Sequence, residues 1–371
     1  MRQPSERRGF LGQRGAALGR LMATLVVLVL LGACAGGGGA PSVSSQAPSA
    51  PAAAPTAQPA PSAAPQPVHL PVGYGAITAS YIPLWVAAEM NAWEKYGLEV
   101  ELVHLPGNTG PQSLLAGQVP LMALSGFASA PSMVEGADFV IFAVMLPRQT
   151  ARVYGAYGLD NPQELRGKRL GVTRQGTLTH FGALFALRHW GLEADKDVAL
   201  VNLNENANIL AGLISGAVDA GVLTDPNSFA AAKAGYPLLT DLADFPVEYN
   251  SAGFTTTRSY LQQNRPLLLN FLRGYLEGHQ RFFADRAFTV EVLRKYARID
   301  DPDVLDQTYA AYSEKYMARV PLPSVASLQN ILDDYASVNP RARGLDAARL
   351  TDASLVQDLQ REGFLRQLGL E

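Results

Sequence analysis

At 371 residues and 48% hydrophobic, the chain is long enough to bury two cores. Its net charge of −3 hides an uneven split: residues 1–33 carry Arg2, Arg7, Arg8, Arg14 and Arg20 against Glu6, so the remainder stands near −7. That acidity speaks against a nucleic-acid partner, which needs a basic footprint; the single cysteine excludes internal disulfides, CxxC redox chemistry and cysteine-rich metal sites.

The first element is Leu21–Ala33, an apolar run of 13 residues behind a basic start. It is too short to span a bilayer and suits the core of a signal peptide. It ends Leu31-Gly32-Ala33-Cys34, which resembles a bacterial lipobox, and that resemblance implies lipidation of Cys34. Ala35–Pro67 follows, with four consecutive glycines, eight prolines and no charge. Such a composition cannot bury a core, so it is expected to be a disordered stalk. The expected boundaries are therefore 1–33 for the signal peptide and 34–67 for the lipidated cysteine and linker.

Beyond the stalk, strands and helices alternate. Val68–Tyr74 reads as a strand, and Pro83 opens a helix whose apolar stripe runs through Leu84, Val86, Ala87, Met90 and Trp93. Leu98–Leu105 is a half-exposed strand, Pro111–Gln118 a short helix, Val119–Leu124 a buried strand, Ala128–Gly136 a helix and Phe139–Met145 a strand. The order recurs as strands Arg169–Thr173, Val198–Leu203 and Val218–Leu223 alternating with helices Thr179–Trp190, Asn206–Gly216 and Pro226–Ala234. Ser251–Thr257 is one more strand, and amphipathic helices follow at 258–284, 287–298, 302–317, 324–337 and 351–368.

The recurrence is also visible in the residues. Leu115–Ser125 laid over Ile214–Thr224 matches Gly117 to Gly216, Val119 to Val218, Leu124 to Leu223 and Ser125 to Thr224. In both copies a short helix ends on glycine, a buried strand follows, and a small hydroxyl residue closes it. The expected fold is α/β and two-lobed, each lobe a mostly parallel sheet flanked by helices. Residues 68–148 and 253–371 form lobe one and 149–252 lobe two, with two hinge crossings between them.

Several segments together resemble the solute-binding proteins of ABC importers. They are Gly73-Tyr74, Ile82-Pro83-Leu84-Trp85-Val86-Ala87, Glu94–Val100, Leu115–Val119, Leu165–Val172 and Gly216–Ala220. The branch they resemble is the NMT1/THI5-like one, which includes alkanesulfonate, taurine and thiamin-pyrimidine binders. The resemblance covers about residues 70–340. It implies a type II periplasmic-binding-protein fold, a small-molecule solute, an ABC permease as partner, no cofactor, no metal and a monomer.

In open parallel α/β sheets, ligands bind beyond the carboxyl ends of the strands. That rule selects six loops: Ala76–Tyr81, Gly107–Gly110, Ser125–Phe127, Arg174–His180, Asn204–Asn208 and Thr224–Asn227. Each leads to a helix start, where unpaired N–H groups favour polar acceptors. The candidate ligand contacts are Thr78, Ser80, Tyr81, Gly107, Asn108, Thr109, Ser125, Gly126 and Phe127 in lobe one. In lobe two they are Gln175, Gly176, Thr177, Thr179, His180, Thr224 and Asp225. Tyr81 and Phe127 are expected to wall the pocket with aromatic rings. Asp225 either caps a helix before Pro226 or faces the cleft to receive a cationic or N–H donor end.

Two other functions share this architecture. An enzyme that makes a thiamin pyrimidine belongs to the wider family but uses a cysteine-rich iron motif, and this chain has no cysteine beyond Cys34. A ligand-sensing subunit for a membrane receptor would use the same cleft, and sequence does not separate it from a transporter component.

Overall fold

The computed structural model describes residues 66–107 and 109–371. Cys34, the stalk up to residue 65 and Asn108 lie outside the described residues. The strands are β1 (Val68–Tyr74), β2 (Leu98–His104), β3 (Leu121–Leu124), β4 (Phe139–Leu146), β5 (Arg152–Gly155), β6 (Arg169–Val172), β7 (Ala199–Asn202), β8 (Ala220–Leu223), β9 (Leu238–Asp241) and β10 (Ala252–Thr257). They form two five-stranded sheets, in the orders β2-β1-β3-β10-β4 and β7-β6-β8-β5-β9.

Helices α1 (Ile82–Glu89), α2 (Thr109–Leu115) and α3 (Gly126–Val134) connect the strands of the first sheet, and α4 (Leu178–His189), α5 (Asn206–Ser215) and α6 (Asn227–Lys233) those of the second. After β10 come α7 (Arg258–Gln263), α8 (Arg265–Ala284), α9 (Arg286–Ala297), α10 (Pro302–Ala311), α11 (Val325–Tyr335), α12 (Ser354–Arg361) and α13 (Phe364–Gln367). A π-turn, Tyr312–Tyr316, extends α10.

The doubled sequence unit is doubled in space. Gly117 (φ 68°) follows α2 and Gly216 (φ 72°) caps α5, both left-handed, where glycine alone is unstrained. The strands that follow, β3 and β8, are buried at every position.

In each sheet four strands run one way and one runs against them. The exceptions are β10, antiparallel to β3 and β4, and β5, antiparallel to β8 and β9. Each is the strand by which the chain arrives from the other sheet. Neither β5 nor β9 was expected from the sequence. Each has four residues, as do β3, β6, β7 and β8, but those were read from the strand–helix alternation and its repeat, and β5 and β9 fall outside both. The structure puts the crossings at residues 147–151 and 242–251.

The C-terminal helices complete the first lobe. Helix α8 seats on α1 through glycine: a Cβ on Gly278 would stand 2.4–2.6 Å from Ala87, including its backbone, and one on Gly274 would meet the Trp93 ring at 2.2 Å. The Trp93 indole donates to the Phe271 carbonyl at 2.8 Å, fixing the helix height. All eight residues of β4 are buried, and its outer edge is covered by later chain: Val144 N–H donates to Pro321 O, Ala318 N–H to Met145 O and Asp352 N–H to Ile141 O.

Two predictions follow from this packing. Gly278→Ala overpacks the α1–α8 contact against backbone, which costs about 1–3 kcal/mol, so the melting temperature should fall by several degrees. The buried His279 bonds through Nε2 to the Ala318 carbonyl at 2.8 Å, and burial pushes its pKa down to about 4. Between that value and the unfolded value near 6.5 the unfolded chain binds the extra proton, so stability rises with pH across the window. Urea titrations at pH 7 and pH 5 should show the wild type losing about 2 kcal/mol more on acidification than His279→Gln.

Candidate binding cleft

A cleft between the carboxyl ends of both sheets holds about 660 Å3 of atom-free space, its mouth included. From lobe one it is lined by Gly75, Ala76, Thr78, Ser80, Tyr81, Gly107, Leu124, Ser125 and Ala128, and from lobe two by Thr173, Thr177, Leu178, Thr179, Asn204, Glu205, Asn206 and Thr224. Ser251, on the returning crossing, completes the lining.

The lobes already touch around this space. The Asp225 carbonyl accepts from Ala79 N–H at 3.0 Å and from Thr78 Oγ1 at 3.3 Å. Phe127 of lobe one stacks on Phe181 of lobe two, centroids 5.0 Å apart. At the rim, Arg174 lies against Gly107, where a Cβ would meet its side chain at 2.5 Å; glycine there lets the guanidinium cross.

The hydroxyls differ in what they have left to offer. Ser125 caps α3, accepting from Ala128 N–H at 3.1 Å. Its repeat partner Thr224 caps nothing: its Oγ1 is buried and unpartnered among the described residues, as is Ser251 Oγ. Thr173, Thr177 and Thr179 form a ring of hydroxyls, with contacts of 2.8 Å (173–177) and 2.7 Å (173–179), closed by Thr177 donating to the Arg174 carbonyl at 2.6 Å.

The candidate contacts therefore divide. Thr78, Ser80, Tyr81, Gly107, Ser125, Thr177, Thr179 and Thr224 line the cleft. Asn108 lies outside the described residues. The others stand elsewhere. Thr109 is exposed and donates to Pro106 O, and Gln175 is exposed. Gly126 is pressed between Ile331 and Asn250. Gly176 is not in the wall, and its N–H donates to His180 Nδ1 at 3.3 Å. That bond and the burial of His180, which lowers its pKa, hold the imidazole neutral and away from the cleft. Phe127 packs into the core between Phe181 and Tyr249 instead of walling the pocket.

Asp225 is the largest correction. Its carboxylate is fully buried and turned away from the cleft, accepting from Arg152 Nη1 at 2.6 Å and from the Ser228 hydroxyl. Arg152 also donates through Nε to Asp241 at 2.6 Å, to Ser228 at 2.8 Å and through Nη2 to Tyr316 of lobe one at 2.8 Å. Desolvation raises the Asp225 pKa, and Arg152 opposes that rise.

Sequence reasoning missed Thr173, Glu205, Asn206 and Ser251 as cleft residues and Arg152 as the partner of Asp225. The loop Asn204–Asn208 was selected by the strand-end rule. Ser251 carried only the signal of an approaching strand, and Arg152 sat in a strand outside the strand–helix alternation.

Two sheets, each with one reversed strand exchanged across two crossings, and a polar cleft between their carboxyl edges define a two-lobed periplasmic-binding-protein-like fold of type II. The chain belongs to the NMT1/THI5-like family, whose model matches residues 78–286. YtlA of Bacillus subtilis (strain 168) is 22% identical over 245 residues, 64% of this chain and 73% of YtlA. Among solved structures, the alkanesulfonate-binding protein SsuA from Xanthomonas axonopodis pv. citri, bound to MOPS, superposes with a TM-score of 0.66 at 20% identity, covering 78% of this chain and 99% of that one. The nitrate-binding protein NrtA from Synechocystis PCC 6803 gives 0.67 at 13% identity, covering 81% and 90%.

The ion cluster yields a further prediction. Arg152→Met strands the Asp225 carboxylate in the interior, which costs about 3–5 kcal/mol. Adding Asp225→Asn removes the stranded charge, so urea midpoints should show the double variant recovering much of that loss.

Proposed function

We propose that the protein is an extracytoplasmic solute-binding protein that captures a small organic solute, a sulfonate, a pyrimidine or a related compound, and delivers it to an ABC importer permease. The observation that carries this reading is a pair of cleft residues, Thr224 and Ser251, whose buried hydroxyl oxygens have no partner among the described residues. A buried polar group without a partner is costly, and a ligand atom held there removes the cost. Family membership supports the reading, as do the sulfonate and nitrate binders of the same fold.

Binding without chemical change suits a wall that, among the described residues, sets hydroxyls, amides and one carboxylate among apolar side chains such as Leu124 and Leu178. Among the described residues no three or more His, Cys, Asp or Glu come together as a metal site, and no helix is long and apolar enough to cross a membrane. A monomer tethered through lipid on Cys34 would keep the cleft close to a permease. Closure follows by population shift, since only the closed form lets both lobes contact one solute.

A thermal-shift screen over alkanesulfonates, nitrate and aminopyrimidines tests this. A cognate solute at a hundred times its Kd adds about 2.7 kcal/mol and should raise the melting temperature by several degrees. Thr224→Val with Ser251→Ala should abolish the rise and leave the ligand-free protein as stable as before, because deleting an unpartnered hydroxyl removes no bond. Persistence of the rise in that variant, or recovery of a chemically altered ligand, would sink the proposal.

A further inference from the structure

The charge inventory of the cleft narrows the solute, provided the solute-binding reading holds. Among the described residues Glu205 is the one charged side chain in the lining, which contains no Lys, Arg or His. It occupies the N-cap position of α5, yet its side chain makes no capping bond. Its nearest ionisable neighbour is His104 Nε2 at 3.9 Å, an imidazole whose pKa burial lowers, so it is neutral around pH 7. Arg174 approaches from the rim, where Asn204 Oδ1 holds its Nε at 3.0 Å and the rest lies over Gly107. Burial pushes the Glu205 carboxyl up and Arg174 pulls it down, as befits a carboxylate short of a full partner.

Counting protons in the threonine ring gives the same sense. Thr177 donates to the Arg174 carbonyl, and the protons of Thr173 and Thr179 are shared among the three mutual contacts of the ring, the third being Thr177–Thr179 at 3.2 Å. All three protons are committed, so the ring offers the cleft only lone pairs. The Thr78 hydroxyl, donating to Asp225 O, is likewise an acceptor. Helix-start N–H groups that would draw an anion are partly taken, Gly126 N–H by Asn250 O and Ala79 N–H by Asp225 O.

We infer that the solute is a neutral or cationic molecule whose N–H or ammonium donors are received by Glu205 and the threonine ring, and that anions lacking a donor are rejected. An anion in this cleft faces the Glu205 charge and the acceptor oxygens of Thr78 and the threonine ring at reduced dielectric, a repulsion that the unpartnered hydroxyls of Thr224 and Ser251 oppose with neutral donors alone.

The test uses the full-length protein in two arms. Thermal shifts are measured with benzamidine, benzamide, benzenesulfonate and nitrate, for the wild type, Glu205→Gln and Arg174→Gln. Separately, the protein is dialysed against a small-molecule extract of spent bacterial medium and whatever it retains is identified by mass spectrometry.

The expected result is retention of a donor-bearing neutral or cationic compound and stabilisation by benzamidine or benzamide. Binding of a cation should weaken about tenfold or more in Glu205→Gln, the loss of one charge-assisted hydrogen bond. Retention of a donor-free anion, or stabilisation by nitrate or benzenesulfonate that disappears in Arg174→Gln, overturns the donor class and leaves the solute-binding reading standing. If nothing is retained and no probe shifts the wild type, the solute-binding reading itself falls, and this inference with it.

Discussion

Arg152 enters the second sheet directly after the chain crosses from the first, and its guanidinium is taken out of water there. A cation in that position has to be matched by charge and by acceptors, because an uncompensated buried ion costs several kcal/mol. The match comes from three directions: Asp225 at the end of β8, Asp241 at the end of β9, and the Tyr316 hydroxyl from lobe one. Satisfying one side chain thus fixes the ends of two strands and a helix of the opposite lobe. It also decides the orientation of residue 225. With the carboxylate drawn back to Arg152, the Asp225 carbonyl is the group left facing Thr78 and Ala79 across the gap.

The same constraint explains how the two copies of the repeat came to differ in use. After β3, Ser125 spends its oxygen on the first turn of α3. After β8, Pro226 stands at the N-cap position of α6 with no N–H, Asp225 is held from behind, and Thr224 caps nothing. Equivalent strand ends therefore present a committed hydroxyl on one lobe and an uncommitted one on the other.

Much of the architecture was legible because it rests on long-range periodicity and on glycine. The alternation of apolar runs, the glycine closing α2 and α5, and the strand-end rule together located the loops from which the cleft is built. Side-chain direction was not legible. Whether Asp225 points forward or back depends on Arg152, 73 residues away, and no local pattern announces that pairing. Phe127 looked like a pocket wall because it precedes its helix's apolar stripe, yet an aromatic partner on the other lobe, Phe181, claims its face. Asp225 was read as either capping a helix or facing the cleft, and its carboxylate does neither; the carboxylate in the cleft lining is that of Glu205, on a loop whose acidic residue reads as an ordinary helix start.

The reversed strands also set which sheet is complete first along the chain. All five strands of the second sheet lie between Arg152 and Asp241, whereas the first sheet waits for β10 at Ala252–Thr257. Within its sheet β4 pairs only with β10, and its other edge is covered by residues from Ala318 onward. Phe139–Leu146, eight apolar residues in a row, therefore depends for both its edges on chain that lies beyond the whole second lobe. A strand of that kind is a template for pairing with other chains.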